Sequence, residues 1–288
     1  MTAAAHPSPS ARPVARRPGR ISLPLDVWRR RLLIAMVVAY VTVLVLAPIA
    51  ALIAGAFAEG IGAIVRVLSQ PDVLSAFWRT LYIALITVVI HSLCGTALAW
   101  VMVRHRFRGR RLLNGLIDLP FAVSAVVVGY MLLLLFGRNG LFAPVLQAMN
   151  IQVAFALPGM ILATLFVTLP FMARELMPVL EEFGLEPEQA AATLGASGWQ
   201  TFWRVTFPAL RWGFIYGLTL TFARALGEFG AVLVIGGGVQ GRTETATLYI
   251  FRALDERQYV GAYSAALVLG LLSLVLVIGT DLIRRKGK

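Results

Sequence analysis

The chain has 288 residues, of which 59% are hydrophobic and 14% charged, with a mean hydropathy of +0.80. Soluble domains carry roughly 25% charged residues, so this composition excludes an ordinary soluble fold and accommodates about six apolar spans of ~20 residues with their loops. The net charge of +12 would point to nucleic acid in a soluble protein, but here the arginines cluster beside apolar runs, where they set membrane orientation, and no nucleic-acid partner is expected.

Residues 1–31 are rich in Pro, Ala and Arg and include Arg12, Arg16, Arg17, Arg20 and Arg29 to Arg31. They cannot bury a core and are expected to form a disordered basic tail, leaving 32–288 as the membrane domain. A cleaved signal peptide is the competing reading. The apolar run over 32–54 exceeds ~20 residues, which favours an uncleaved first span. Gly55, Gly60, Gly62 and Pro71 mark an outer loop with an interfacial helix. The second span covers about 81–103 and is followed by Arg104, Arg106, Arg108, Arg110 and Arg111. Its His91 and Cys94 are about one turn apart and read as packing residues. With one cysteine and three scattered histidines (His6, His91, His105), neither a disulfide framework nor a metal site with ligand spacing is expected.

The third span, about 112–136, is interrupted by Asp118 and Pro120. Asp118 is expected to cap a helix N-terminus or to pair with Arg110 or Arg111. A turn follows at 137–140. The fourth span covers about 153–173 between Pro158 and Pro170, the fifth about 213–236, and the sixth about 260–283 with a basic end. Six spans with the N-terminus inside place 19 Lys and Arg in inner segments against 6 in outer ones, the bias expected with both termini in the cytoplasm.

The longest inner loop is then 174–211. Its first part carries five glutamates, and Pro187 suits a helix start. Residues 188–194 read as helix, Gly195 as its break, Ser197 and Gly198 as a turn, and 200–205 as a second helix, with Pro208 marking the end before the next span. Two roles fit this pattern: an amphipathic pair with Trp199 and Trp203 in the lipid headgroups, or a docking element for another protein.

The spacing resolves the choice through a resemblance. Gln189, Ala190 and Ala191 are followed after three residues by Gly195, and after nine more by Val205-Thr206-Phe207-Pro208. This is similar to the Glu-Ala-Ala signature of ATP-binding-cassette importer permeases, with Gln189, Val205 and Phe207 standing where the signature has Glu, Ile and Leu. Further stretches resemble the sulfate/thiosulfate group of these permeases, and within it the W subunit: LPFAVSAVVVGY (119–130), RNG (138–140), LPGMILATLFVTLPFMARELMPVL (157–180) and ARALGEFGAVLVIGG (223–237). The last run is shared with molybdate permeases, so a molybdate or tungstate importer is the alternative.

The resemblance implies an all-α polytopic protein of about six transmembrane helices, with type I importer architecture, in a bacterial inner membrane. It implies a coupling role for Gln189, Ala190, Ala191, Gly195, Gly198 and Pro208, seated in a groove of a partner ATPase. It also implies the partners: a homologous second permease of T or U type, a dimer of ATP-binding subunits, an extracytoplasmic sulfate-binding protein and membrane lipid. The chain itself shows no Gly-x-x-x-x-Gly-Lys-Ser/Thr run. ATP and Mg²⁺ therefore belong to the partner, and this subunit is expected to be non-catalytic and to bind no cofactor. An ion-coupled carrier is the remaining, weaker reading; it calls for midplane acidic residues and paired repeats in a chain of more spans.

Arg224 and Glu228 fall inside the fifth span, four residues apart on one helix face. Ionisable groups at such depth face an interior or a cavity. Either Arg224 lends positive potential to an anion path, or the two form an internal ion pair. The adjacent carboxylate would cancel most of the field an anion would feel, which favours the pair. Gly227, Gly230 and Gly236 to Gly238 allow backbone amides to approach an anion closely.

Overall fold

The computed structural model describes residues 27–286. The chain divides into two compact units, Met1–Ala50 and Ala51–Lys288, each taken by itself. In the first, the described residues belong to helix α1 (Val27–Ala56), whose 30 residues extend ~45 Å at ~1.5 Å per residue, more than the ~30 Å of a bilayer's hydrocarbon core. Arg29 to Arg31 are helical and belong to α1 rather than to a tail. The remainder of the expected basic tail, 1–26, lies outside the described residues.

The second unit continues with α2 (Ile61–Leu68), α3 (Pro71–Arg104), α4 (Arg110–Ala122), α5 (Ala125–Phe136), α6 (Ala143–Ala148), α7 (Leu157–Phe183), α8 (Glu186–Thr193) and α9 (Gly198–Thr201). A π-helical segment (Phe202–Thr206) leads into α10 (Phe207–Leu226), followed by α11 (Gly230–Gly236), α12 (Ala246–Asp255) and α13 (Tyr259–Lys286). Four helices, α1, α3, α7 and α13, are long and apolar enough to cross a membrane. Two bent helix pairs, α4 with α5 at 114° and the 198–226 helix with α11 at 56°, raise the number to six if each pair counts as one span.

The described residues thus give four to six spans, six being the number the hydropathy pattern predicts, and the expected third and fifth spans are not single helices. Pro120 lies in the last turn of α4, and Val123 and Ser124 are extended before α5 begins. In the fifth span Gly227 closes α10, and Phe229 leaves helical geometry at φ −129° and ψ −64°. The two short halves pack on each other through glycines. A Cβ on Gly129 of α5 would sit 2.7 Å from the Ala231 carbonyl of α11, and one on Gly230 would meet Val126 at 3.1 Å. Small residues at such crossings let backbones close in lipid, where dispersion rather than water expulsion drives association.

The fourth span also departs from expectation. Pro170 does not end it; α7 runs through Pro170 and Pro178 to Phe183, so the polar loop starts near 184 rather than 174. Proline survives inside a membrane helix where neighbours satisfy the disturbed carbonyls. The carbonyl that Pro170 leaves without its helical donor is that of Phe166; one residue before it, His91 of α3 places Nε2 3.1 Å from the Leu165 carbonyl and 3.0 Å from Thr168 Oγ1. His91 is buried, whereas Cys94 lies on the exposed surface of α3. The interfacial helix is α2. The short helix α6 has no counterpart in the sequence reading.

α7 is the axis of the second unit, with Met172, Leu176 and Leu180 buried against Met102 of α3, Ile117 of α4 and Leu210 of α10. Met172 fills the space left by two glycines: a Cβ on Gly95 of α3 or Gly217 of α10 would sit 2.8 Å from its side chain. Gly95→Leu and Gly217→Leu are each expected to destabilise the fold by about 1–3 kcal/mol through overpacking, while the volume-conserving Met172→Leu costs less than about 1.5 kcal/mol. Thermal unfolding of the detergent-purified protein checks this ranking.

Candidate functional site

The stretch from Gly184 to Pro208 is built from local chemistry. Gly184 ends α7 at φ 70°. Pro187 occupies the first turn of α8 with Glu186 and Glu188 beside it, a charge placement that the helix dipole favours. At its far end Gly195 takes φ 84°. The Gly195 N–H donates to the Ala192 carbonyl and the Ala196 N–H to the Ala191 carbonyl, both at 3.0 Å. This is a Schellman closure, which calls for a left-handed residue at the glycine position. A Cβ at Gly195 would meet nothing within 4 Å, so within this chain the glycine serves backbone conformation, not close packing.

Ser197 then opens α9 with a capping box: the Gln200 N–H donates to Ser197 Oγ at 3.3 Å, and the Ser197 N–H to Gln200 Oε1 at 2.9 Å. Gly198 is the first residue of that helix. Pro208 does not end this helix, contrary to the sequence reading. It sits in the first turn of α10, after the π turn in which the Phe207 N–H bonds the Phe202 carbonyl five residues back. The widened turn makes room for a ring that would otherwise strike the preceding carbonyl. Residues 198–226 therefore form one continuous helical run.

α8 contains no fully buried residue. Gln189, Ala190, Gly195, Gly198 and Pro208 are exposed and Ala191 is half-buried. Leu194 (88% exposed) and Trp199 (72% exposed) project beside them. Glu188 turns the other way. Its Oε1 accepts from Arg104 Nη2 at 2.9 Å and from Thr206 Oγ1 at 3.0 Å. Arg104, the last residue of α3, also donates to the Leu180 carbonyl near the end of α7 at 3.2 Å and lies over the Trp100 ring. Both side chains of this pair are largely buried, at 6% and 13% exposure. Sequence spacing singles out neither residue of this pair: Glu188 falls within a stretch read as helix, and Arg104 within the basic cluster after the second span.

Asp118 pairs with neither Arg110 nor Arg111. Because α7 continues past Pro170, Arg174 lies alongside α4, and its guanidinium holds both carboxylate oxygens of Asp118, the Nε arm at 2.8 Å.

In the broken fifth span Arg224 Nη1 lies 2.8 Å from Glu228 Oε2, a charge contact without hydrogen-bond alignment. Glu228 is buried and stands in the break, not on the α10 face that four-residue spacing implies. Its Oε1 accepts the Ala231 N–H at 3.0 Å, so it caps α11. Its carbonyl accepts from Thr247 Oγ1 of α12 at 2.7 Å. Arg224 keeps one third of its side chain exposed. At the N-terminal end of α3, Arg79 donates to the Glu244 carbonyl at 2.6 Å, while the buried Glu244 carboxylate holds Arg252 at 2.6 Å. Hydrogen bonding to Glu244 raises the Arg252 guanidinium pKa above its ordinary value, with burial opposing.

This arrangement matches known proteins. The chain is 46% identical over 257 residues to the "Sulfate transport system permease protein CysW" of Synechococcus elongatus, covering 89% of this chain and 90% of the relative. It is 43% identical over 248 residues to the protein of that name in Escherichia coli K12, covering 86% and 85%. A solved bacterial transporter that imports the polysaccharide alginate superposes with a TM-score of 0.74 at 19% identity, over 91% of this chain and 97% of that one, a likeness of fold alone. Residues 91–286 match the family described as "Binding-protein-dependent transport system inner membrane component". With that match over most of its length and the identity to its relatives, the chain belongs to the inner-membrane permeases of binding-protein-dependent ABC transport systems.

Proposed function

We propose that this permease is one of two homologous membrane subunits of an ATP-driven sulfate importer. The observation that carries the reading is the 186–208 element, in which a permease signature of unbroken spacing is folded as an exposed helix, a Schellman turn and a capped second helix. The substrate rests on the sulfate-transport relatives. In this reading Gln189, Ala190, Ala191, Gly195, Gly198 and Pro208 form the face offered to an ATPase subunit, which binds ATP and Mg²⁺ and performs the hydrolysis. Movement of the two ATPase subunits swings the permease pair between inward- and outward-open states, while an extracytoplasmic binding protein delivers the anion. In this reading both termini lie in the cytoplasm, which the excess of basic residues in the inner segments supports. Thiosulfate is a second substrate.

Arg224 and Glu228 act first as an internal pair that fastens the break. Because Glu228 also serves the N-terminal end of α11, its charge is shared, and the half-exposed side of Arg224 retains positive potential for a passing anion.

Reconstitution with the ATPase and second permease in liposomes, with binding protein outside, is expected to give ATP-dependent sulfate uptake that thiosulfate inhibits more strongly than molybdate. Molybdate uptake without sulfate uptake overturns the substrate. Uptake without ATP would point instead to an ion-coupled carrier. Gly195→Trp, forced into a left-handed conformation that costs a non-glycine residue about 1–2 kcal/mol, is expected to continue hydrolysing ATP while losing transport. Gly195→Asn is milder, since Asn adopts this conformation more readily, and Gln189→Glu is tolerated. Arg224→Ala is expected to abolish uptake with the complex intact; failure of assembly would leave the residue a structural role only.

A further inference from the structure

α8 is a short helix bounded by a glycine turn at each end. Gly184 and Gly195 take positive φ at its two ends, 70° and 84°, and no residue of α8 is fully buried. A push on such a helix would be absorbed at the glycines unless something rigid ties it to the membrane helices. One buried side chain does so. Glu188 Oε1 is shared by Arg104 of α3 and Thr206 of the π segment, and Thr206 is itself fully buried at the entrance to α10. Arg104 in turn holds the Leu180 carbonyl at the end of α7. The end of α3 and the entrance to α10 therefore meet on one carboxylate oxygen, and α7 is joined to it through Arg104.

We infer that Glu188 and Arg104 form the strut that carries movement of α8 into α3, α7 and α10, with Glu188, not the signature residue Gln189, as the positioning residue of the coupling element. This rests on the reading that α8 meets an ATPase. Division of labour follows from the helix geometry. Adjacent residues point about 100° apart around an α-helix, so Glu188 faces its own chain while the exposed Gln189 faces outward. A neutral amide is then sufficient at 189, because the charge the strut needs stands at 188. A buried ion pair is also a stiff link: removing either partner strands the other charge in a largely dry site, so the contact does not open gradually under load.

The test uses the reconstituted complete complex and reads sulfate taken up per ATP hydrolysed. Glu188→Gln and Arg104→Gln are each expected to lower that ratio roughly ten-fold or more, with hydrolysis continuing and the ATPase still co-purifying. The double variant is expected to be no worse than the worse single one, the signature of a shared contact. Arg104→Lys, which keeps a charge and donors for both Glu188 and Leu180, restores a substantial part of the ratio. Thr206→Val removes one hydrogen bond and leaves the ion pair, giving an intermediate loss. An unchanged ratio in the single variants overturns the strut. So does additivity of the two, or a fall in uptake that tracks loss of complex in every variant including Thr206→Val. A cysteine at the exposed Ala192, in a Cys94→Ala background, separates the premises. Cross-linking to the ATPase with an unchanged ratio removes the strut alone, whereas absence of cross-linking in wild-type complex removes the docking of α8 and the strut with it.

Discussion

Lipid offers the backbone no hydrogen-bond partner, so every interruption of a membrane helix has to be satisfied from within the protein. That constraint explains where this chain spends its few buried polar side chains. Glu228 takes the Ala231 amide in the first turn of α11, at the break in the fifth span. Thr243 donates to the Gly236 carbonyl and accepts the Val239 N–H, closing the loop after α11. His91 reaches the Leu165 carbonyl before Pro170, Arg79 reaches the Glu244 carbonyl, and Arg104 reaches the Leu180 carbonyl. Several irregularities are thus met by side chains, some from another helix (His91, Arg79, Arg104) and some from within the same loop (Thr243), whereas the bend at Val123 and Ser124 is closed by the backbone bond from the Val123 N–H to the Leu119 carbonyl.

The same side chains join the two regions to which the proposed transport cycle assigns coupling and passage. Near the break, α5 and α11 close on Gly129 and Gly230, and Glu228 links α10, α11 and α12 through its carboxylate and carbonyl. At the C-terminal ends of α3 and α7, Arg104 and Glu188 gather the coupling element. Between them, α7 packs on Gly95 of α3 and Gly217 of α10 through Met172. Close-packed helices with no room to repack transmit displacement as rigid bodies, which a subunit driven from one end requires.

What the sequence made legible was local. The span α13 follows from apolar length; α3 does in part, since it begins at Pro71, ten residues before the apolar run at 81, inside the stretch expected as an outer loop. The turn at 195–200 follows from Gly195, Ser197 and Gln200, whose conformations and caps depend on neighbours within five residues. For Asp118 the sequence offers a helix cap or Arg110 or Arg111, and its partner is instead Arg174, which a fourth span ending near 173 places in the loop but which α7, running to Phe183, carries alongside α4. The bend between α4 and α5 falls at Val123 and Ser124, with neither glycine nor proline at the break itself. The Arg104–Glu188 pair spans 84 residues of sequence, and no periodicity encodes such a contact. The Arg224–Glu228 contact was visible from its spacing, although it arises at a helix break and not along one face.

The account depends on α8 moving together with the end of α3. Spin labels at Ala192 and Arg106 in the assembled importer, compared with labels at Ala192 and Gln240, read this directly as distances with and without an ATP analogue. The 192–106 separation is expected to hold within ~2 Å while the 192–240 separation shifts by more, as packed elements moving as one body require. A 192–106 distance that changes as much as the 192–240 distance would contradict it.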